Sequence, residues 1–166
     1  MKGPATRHAA GLSLLFLVVY CGTNWLTSLR SGVGTCYFDW ELAIPFVPLM
    51  ILPYLSIDLF FVVAPFLCRD RPELRRLSRR IVLAILVAGA CFLLFPFRIG
   101  FVKPPLTGWL GQAFQVFLGM DQPFNLVPSL HITLRSILAV HYAHHSRGWS
   151  RVGLQVWFSL IGFSTS

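Results

Sequence analysis

Charge is what this chain has least of. Only 12% of its 166 residues are charged, and six are acidic. Soluble domains carry roughly 25% charged residues, so the chain is too apolar for a soluble domain of its size. The carboxylates form none of the usual clusters that hold a hard cation. Cys21, Cys36, Cys68 and Cys91 include no CxxC pair, which leaves a zinc or redox motif without support. Three of these cysteines lie in or beside apolar runs and are expected to pack as small apolar residues. There is no internal repeat and no low-complexity tract.

What the chain has instead is long apolar runs, and a hydrophobic fraction of 55%. Runs of this kind indicate membrane spans. The expected fold is all-α: a polytopic transmembrane bundle of about five helices. A short basic N-terminus, 1–10, precedes a single membrane domain, 11–166. Its expected spans are 11–29, 46–67, 81–97, 128–145 and 152–166. The first run could also be read as a signal peptide with its apolar core at 14–19. No small-x-small cleavage site follows it, however, and the run is long enough to span. Pro48, Pro53 and Pro65 can kink the second span. Ala84, Ala88, Gly89 and Ala90 permit close helix approach in the third. In the long connection between the third and fourth spans, Trp109, Leu110, Ala113, Phe114, Phe117 and Leu118 recur at helical spacing. They predict a short amphipathic helix at the membrane interface.

The formal net charge of +8 comes with neither aromatic-basic interleaving nor a groove-reading motif, so nucleic acid is not an expected partner. The basic residues fall into two sets. Lys2, Arg7, the six arginines of 69–80, Arg147 and Arg151 make 10 on one side; Arg30, Arg98 and Lys103 make 3 on the other. The positive-inside rule then places the N-terminus and the basic loops in the cytoplasm. Arginine-weighted composition and the lack of a retention signal point to a bacterial inner membrane. The start of the fourth span faces the periplasm or exterior.

Ionisable residues inside spans are costly and often functional. Three are present: Asp58, His131 and Arg135. His131 and Arg135 are four residues apart, on one helix face. Asp58 is expected either to pair with Arg135, despite a depth difference of roughly 8 Å, or to serve the site. The fourth span opens Pro128-Ser129-Leu130-His131. Free backbone N–H groups and the positive dipole end make such a terminus an anion site. Ser129 can cap the helix or donate to a phosphoryl oxygen. His131 can exchange a proton near neutral pH. Arg98 and Lys103 lie on the same outer side, either as interfacial anchors or as part of a cationic pocket. The natural ligand of such a pocket is a phosphate whose lipid tail stays in the bilayer.

Phe124-Asn125-Leu126-Val127-Pro128-Ser129-Leu130-His131 resembles the central motif of the type-2 phosphatidic acid phosphatase superfamily. That motif usually reads Pro-Ser-Gly-His. The Leu130 form is closer to the branch containing inositol phosphorylceramide synthase. Pro96-Phe97-Arg98 and Lys103-Pro104 resemble a variant of the first motif, with shorter spacing and the basic types exchanged. Ser164-Thr165 resembles the start of the third motif, which supplies a histidine nucleophile and an aspartate. The sequence stops before either.

The resemblance implies a truncated six-helix core and a two-step phosphoryl transfer at the outer face. In that scheme the third-motif histidine attacks phosphorus. Arg98, Lys103, Ser129 and the backbone at Leu130 hold the phosphoryl oxygens. His131 protonates the leaving alkoxide, then activates water or an alcohol. No metal or cofactor is required. The expected ligand is a phosphorylated membrane lipid, and the chain alone is expected to be inactive. The competing expectation is a non-catalytic multi-pass protein, such as a scaffold, an assembly subunit or a transporter fragment, with Asp58 and Arg135 as a helix pair.

Overall fold

The computed structural model describes residues 2–30, 33–35, 47–98 and 129–164. Within these residues the chain is an all-α bundle of five helices: α1 (Lys2–Ser28), α2 (Ile51–Leu67), α3 (Arg71–Leu94), α4 (Leu130–His145) and α5 (Gly148–Phe163). A single 3-10 turn, Pro48–Met50, leads into α2. The expected interfacial helix around Trp109 to Leu118, Lys103 and Pro104, and the motif residues 124–128 lie outside the described residues.

Two helices, α1 and α3, are long and apolar enough to cross a membrane. At 1.5 Å per residue they measure roughly 40 and 36 Å, whereas the other three reach roughly 24–26 Å. Helix boundaries differ from the expected spans at the basic segments. α1 already starts at Lys2, inside the presumed N-terminal tail. α3 starts at Arg71 and takes in most of the basic stretch expected to be a loop. The cause is local. Asp70 caps α3, its Oδ1 accepting from Glu73 N at 2.7 Å, while Glu73 Oε2 accepts from Arg69 N at 2.8 Å. Pro72 occupies the second helical position, where a missing N–H costs nothing. Arginine is itself a good helix former.

α4 and α5 are joined by only Ser146 and Arg147, and Gly148 takes φ 57°, a left-handed value that suits glycine. Such a short link forces an antiparallel pair. α1 and α3 run parallel: His8 Nδ1 and Ser78 Oγ share a 2.7 Å hydrogen bond near one end, and Arg30 Nη1 donates to Leu93 O at the other. Beyond these helices, Gly34–Thr35 pairs in parallel with Phe97–Arg98, in the register Gly34 to Phe97. α2 and α4 are likewise parallel, since Tyr54 meets His131 and Ala64 meets His141.

Packing follows the helical period. On α3, Leu74, Leu77, Ile81, Ile85, Ala88 and Phe92 form one buried stripe. Leu130, Leu134 and Leu138 on α4 meet it, with Ile57, Phe61 and Ala64 of α2 and Phe158 and Ile161 of α5 completing the core. Gly89 lets α1 approach α3. A Cβ there would stand 2.5 Å from Val19 Cγ1, which accords with the small residues noted in this stretch. On α1, Asn24 Oδ1 and Thr27 Oγ1 are buried without a hydrogen-bond partner. The outside is strongly apolar: Leu14, Val18, Trp25, Leu59, Val87 and Val156 all stand exposed.

Candidate functional sites

Helix directions sort the chemistry to two ends. One end gathers the starts of α1, α3 and α5 with the finishes of α2 and α4. It carries Lys2, Arg7, the arginines of 69–80, Arg147 and Arg151. The other end carries Arg30, the β-pairing at Phe97–Arg98, and the opening of α4.

At this second end Ser129, Leu130 and His131 have identifiable structural partners. Ser129 is the N-cap of α4; its Oγ accepts from Ile132 N at 3.4 Å. Leu130 is buried in the core at 3% exposure. The His131 ring stacks on Tyr54, with centroids 4.2 Å apart and planes 16° from parallel. His131 and Asp58 border one small enclosed space with Phe16, Ile57, Phe61 and Leu134, and its volume is about 10 Å³. Ser129 and His131 thus share one helix start. The backbone of Arg98 lies at the same end, and Lys103 lies outside the described residues.

Arg135 takes a partner other than Asp58. Its Nε donates to Phe158 O of α5 at 2.6 Å, and its guanidinium lies over Gly162, where a Cβ would stand 3.2 Å from Cζ. This bond uses one of the five N–H donors of the guanidinium. A glycine one turn later gives it room. Among the described residues the one ion pair is elsewhere, between His145 and Glu73.

That ion pair marks a second cluster, at the basic end, which the sequence reading left unassigned. His145 Nε2 lies 3.2 Å from Glu73 Oε1. His141 Nε2 donates to Ala64 O at 3.1 Å, satisfying a carbonyl in the last turn of α2. His145 Nδ1 donates to His141 O at 2.9 Å. One ring nitrogen from each histidine and one Glu73 oxygen all lie within 4.8 Å of one another, close enough to share a metal ion. The available signal was His141-x-x-x-His145, two imidazoles on one helical face. The count of basic residues used lysine and arginine alone and passed over it.

Beside this cluster is a cavity of about 430 Å³, lined among others by Arg69, Arg76, Arg80, Asp70 and His144. Cys68 Sγ lies 4.0 Å from His141 Nε2. Burial pushes the Cys68 thiol up to about 11, and the nearby Glu73 and Asp70 carboxylates add to the shift. It is therefore a protonated, apolar neighbour of the cluster, as expected of a small packing residue.

No protein family, characterised protein or solved structure matches this chain.

Proposed function

We propose that the chain is a non-catalytic multi-pass membrane protein, a helical scaffold or assembly subunit. The observation that carries this reading is the state of the outer-end residues. Ser129 caps its helix, Arg135 is bonded to the Phe158 carbonyl, and His131 lies flat on Tyr54. The space beside His131 is about 10 Å³. A single water needs roughly 10–15 Å³, so among the described residues this space is too small for a phosphoryl group. Membrane embedding is supported by the apolar exterior: Leu14, Val18, Leu59 and Val87 are each more than half exposed on helix faces. The basic end then lies in the cytoplasm and the α4 start on the far side of an inner membrane.

One observation favours a second reading, lipid-phosphate transfer. Ser129 and His131 occupy a helix start, where unpaired N–H groups attract anions, at the same end as the Arg98 backbone. Because the transfer reading expects the chain alone to be inactive, binding rather than turnover separates the two, with a short-chain phosphatidic acid titrated onto the protein in detergent micelles. The scaffold reading expects no saturable binding, with no change on His131→Ala. Saturable binding, lost on His131→Ala in a variant of unchanged helix content, overturns it in favour of a phosphate site.

A further inference from the structure

We infer that Glu73, His141 and His145 form a binding site for a zinc-class divalent metal ion, fastening the start of α3 to the end of α4. Three features of the geometry carry this. The donor set comes first: two imidazoles and one carboxylate, the ligands zinc takes most readily when thiolates are absent. His141 and His145 are separated by one helical turn, so both rings project from one face.

Spacing is the second. Zinc bonds of roughly 2.0–2.1 Å in a tetrahedron place neighbouring ligand atoms roughly 3.3 Å apart. His145 Nε2 and Glu73 Oε1 are 3.2 Å apart. A ring nitrogen of each histidine and an oxygen of Glu73 lie within 4.8 Å of one another.

Orientation is the third. Ligating side chains are normally fixed through their other polar atom, a histidine by donating its second N–H to a carbonyl or carboxylate. Each member here is held that way by backbone. Glu73 Oε2 accepts from Arg69 N, His145 Nδ1 donates to His141 O, and His141 Nε2 donates to Ala64 O. These bonds set the tautomers and leave Nε2 of His145 and Nδ1 of His141 as the nitrogens with lone pairs. A structural ion pair alone requires only His145 and Glu73; His141, held on Ala64 O through Nε2, adds a second imidazole with Nδ1 left free.

Three protein ligands leave a fourth position open. The neighbouring cavity of about 430 Å³ can supply a water or a small anion to it, and Arg69, Arg76 and Arg80 on its wall favour the anion. The cysteine nearby lies on the other side of the His141 ring, its Sγ 4.0 Å from Nε2, the nitrogen that donates to Ala64 O. The site is at the opposite end of the bundle from Ser129 and His131. It stands or falls independently of the proposed function.

The test uses the full chain without a histidine tag, purified in detergent and stripped of metal. Zinc is titrated against a chromophoric chelator, and Co²⁺ is added in parallel as a spectroscopic probe. One zinc per chain is expected, with a tetrahedral Co²⁺ visible spectrum and a Tm that rises with zinc. Glu73→Gln keeps an oxygen able to accept from Arg69 N but weakens the ligand. It and His145→Gln should each lower affinity at least roughly tenfold. His8→Ala, at a histidine outside the triad and its cavity, should leave affinity unchanged. Failure of the wild-type protein to bind zinc stoichiometrically would overturn the inference. So would equal losses in His8→Ala and His145→Gln, which would mark unspecific binding by histidines. If His145→Gln fails to fold, Glu73→Gln and the Co²⁺ spectrum decide alone.

Discussion

Replacing Gly89 by alanine should destabilise the bundle or leave it unchanged, and the same replacement should stabilise it once Val19 is cut back. In the folded chain the new Cβ would stand 2.5 Å from Val19 Cγ1. Carbon atoms prefer roughly 3.5–4.0 Å, so α1 and α3 must separate by about 1 Å or Val19 must leave its rotamer. Overpacking of this kind costs about 1–3 kcal/mol. Against it stands the helix preference of alanine over glycine, about 1 kcal/mol. The net expectation for Gly89→Ala is a loss of about 0–2 kcal/mol. With Val19→Ala the Cγ1 is gone, and the next neighbours, Thr23 Cγ2 at 3.9 Å and Val19 Cβ at 4.0 Å, are in ordinary contact. Only the helix preference then remains, and Gly89→Ala should gain about 1 kcal/mol. A double-mutant cycle from reversible unfolding in mixed micelles should therefore give a coupling of about 1–3 kcal/mol. Additivity within about 0.5 kcal/mol would show that α1 and α3 do not meet at this glycine, and the packing described for these two helices would be wrong.

Three further outcomes are expected. Cys68, kept as the sole cysteine, should react with a maleimide about 100-fold more slowly in the folded than in the unfolded chain near pH 8, because only the thiolate attacks. Its thiol is raised by about two units, so the folded rate should climb through pH 10–11 while the unfolded rate levels off earlier; equal rates would refute the burial. Tyr142→Phe removes the bond from Tyr142 Oη to Phe60 O, 2.9 Å long. It should cost about 0.5 kcal/mol, the low end for a hydrogen bond, because Phe60 O keeps its helical partner; a loss above about 2 kcal/mol would point to a different role. Asp70→Ala should cost about 1 kcal/mol by uncapping α3, and Asp70→Asn should restore most of it; circular dichroism melts would read both.

The bundle was legible where apolar periodicity is uninterrupted. The five apolar runs became five helices, and the small residues around Gly89 became a close helix contact. Legibility failed where charge and helix coexist. The arginines of 69–80 suggested a loop, yet Asp70, Pro72 and Glu73 form a helix-start signal that starts α3 at Arg71. Charge alone does not end a helix when the side chains reach solvent. For Asp58 the cost of intramembrane charge left two readings open, a pair with Arg135 or a place in the site. Arg135 donates to the Phe158 carbonyl, a backbone acceptor that residue types do not reveal. The fourth helix was expected from Pro128 and starts at Leu130, with Ser129 as its cap, one of the two roles its position allowed. The Glu73–His141–His145 cluster needed tertiary information, because Glu73 lies 68 residues before His141 and is brought to it only by the antiparallel packing of α3 on α4.

The most direct test of the account is where the two ends of the bundle sit relative to a membrane. Single cysteines at Arg76, on the basic end, and at Phe95, on the other, would be placed in a cysteine-free chain and labelled with a membrane-impermeant maleimide from outside intact cells. The account predicts that the Phe95 position labels in intact cells and the Arg76 position labels only after lysis, with both proteins resisting alkaline extraction from the membrane. Release of the protein by alkali, or labelling of both positions from the same side, would contradict it.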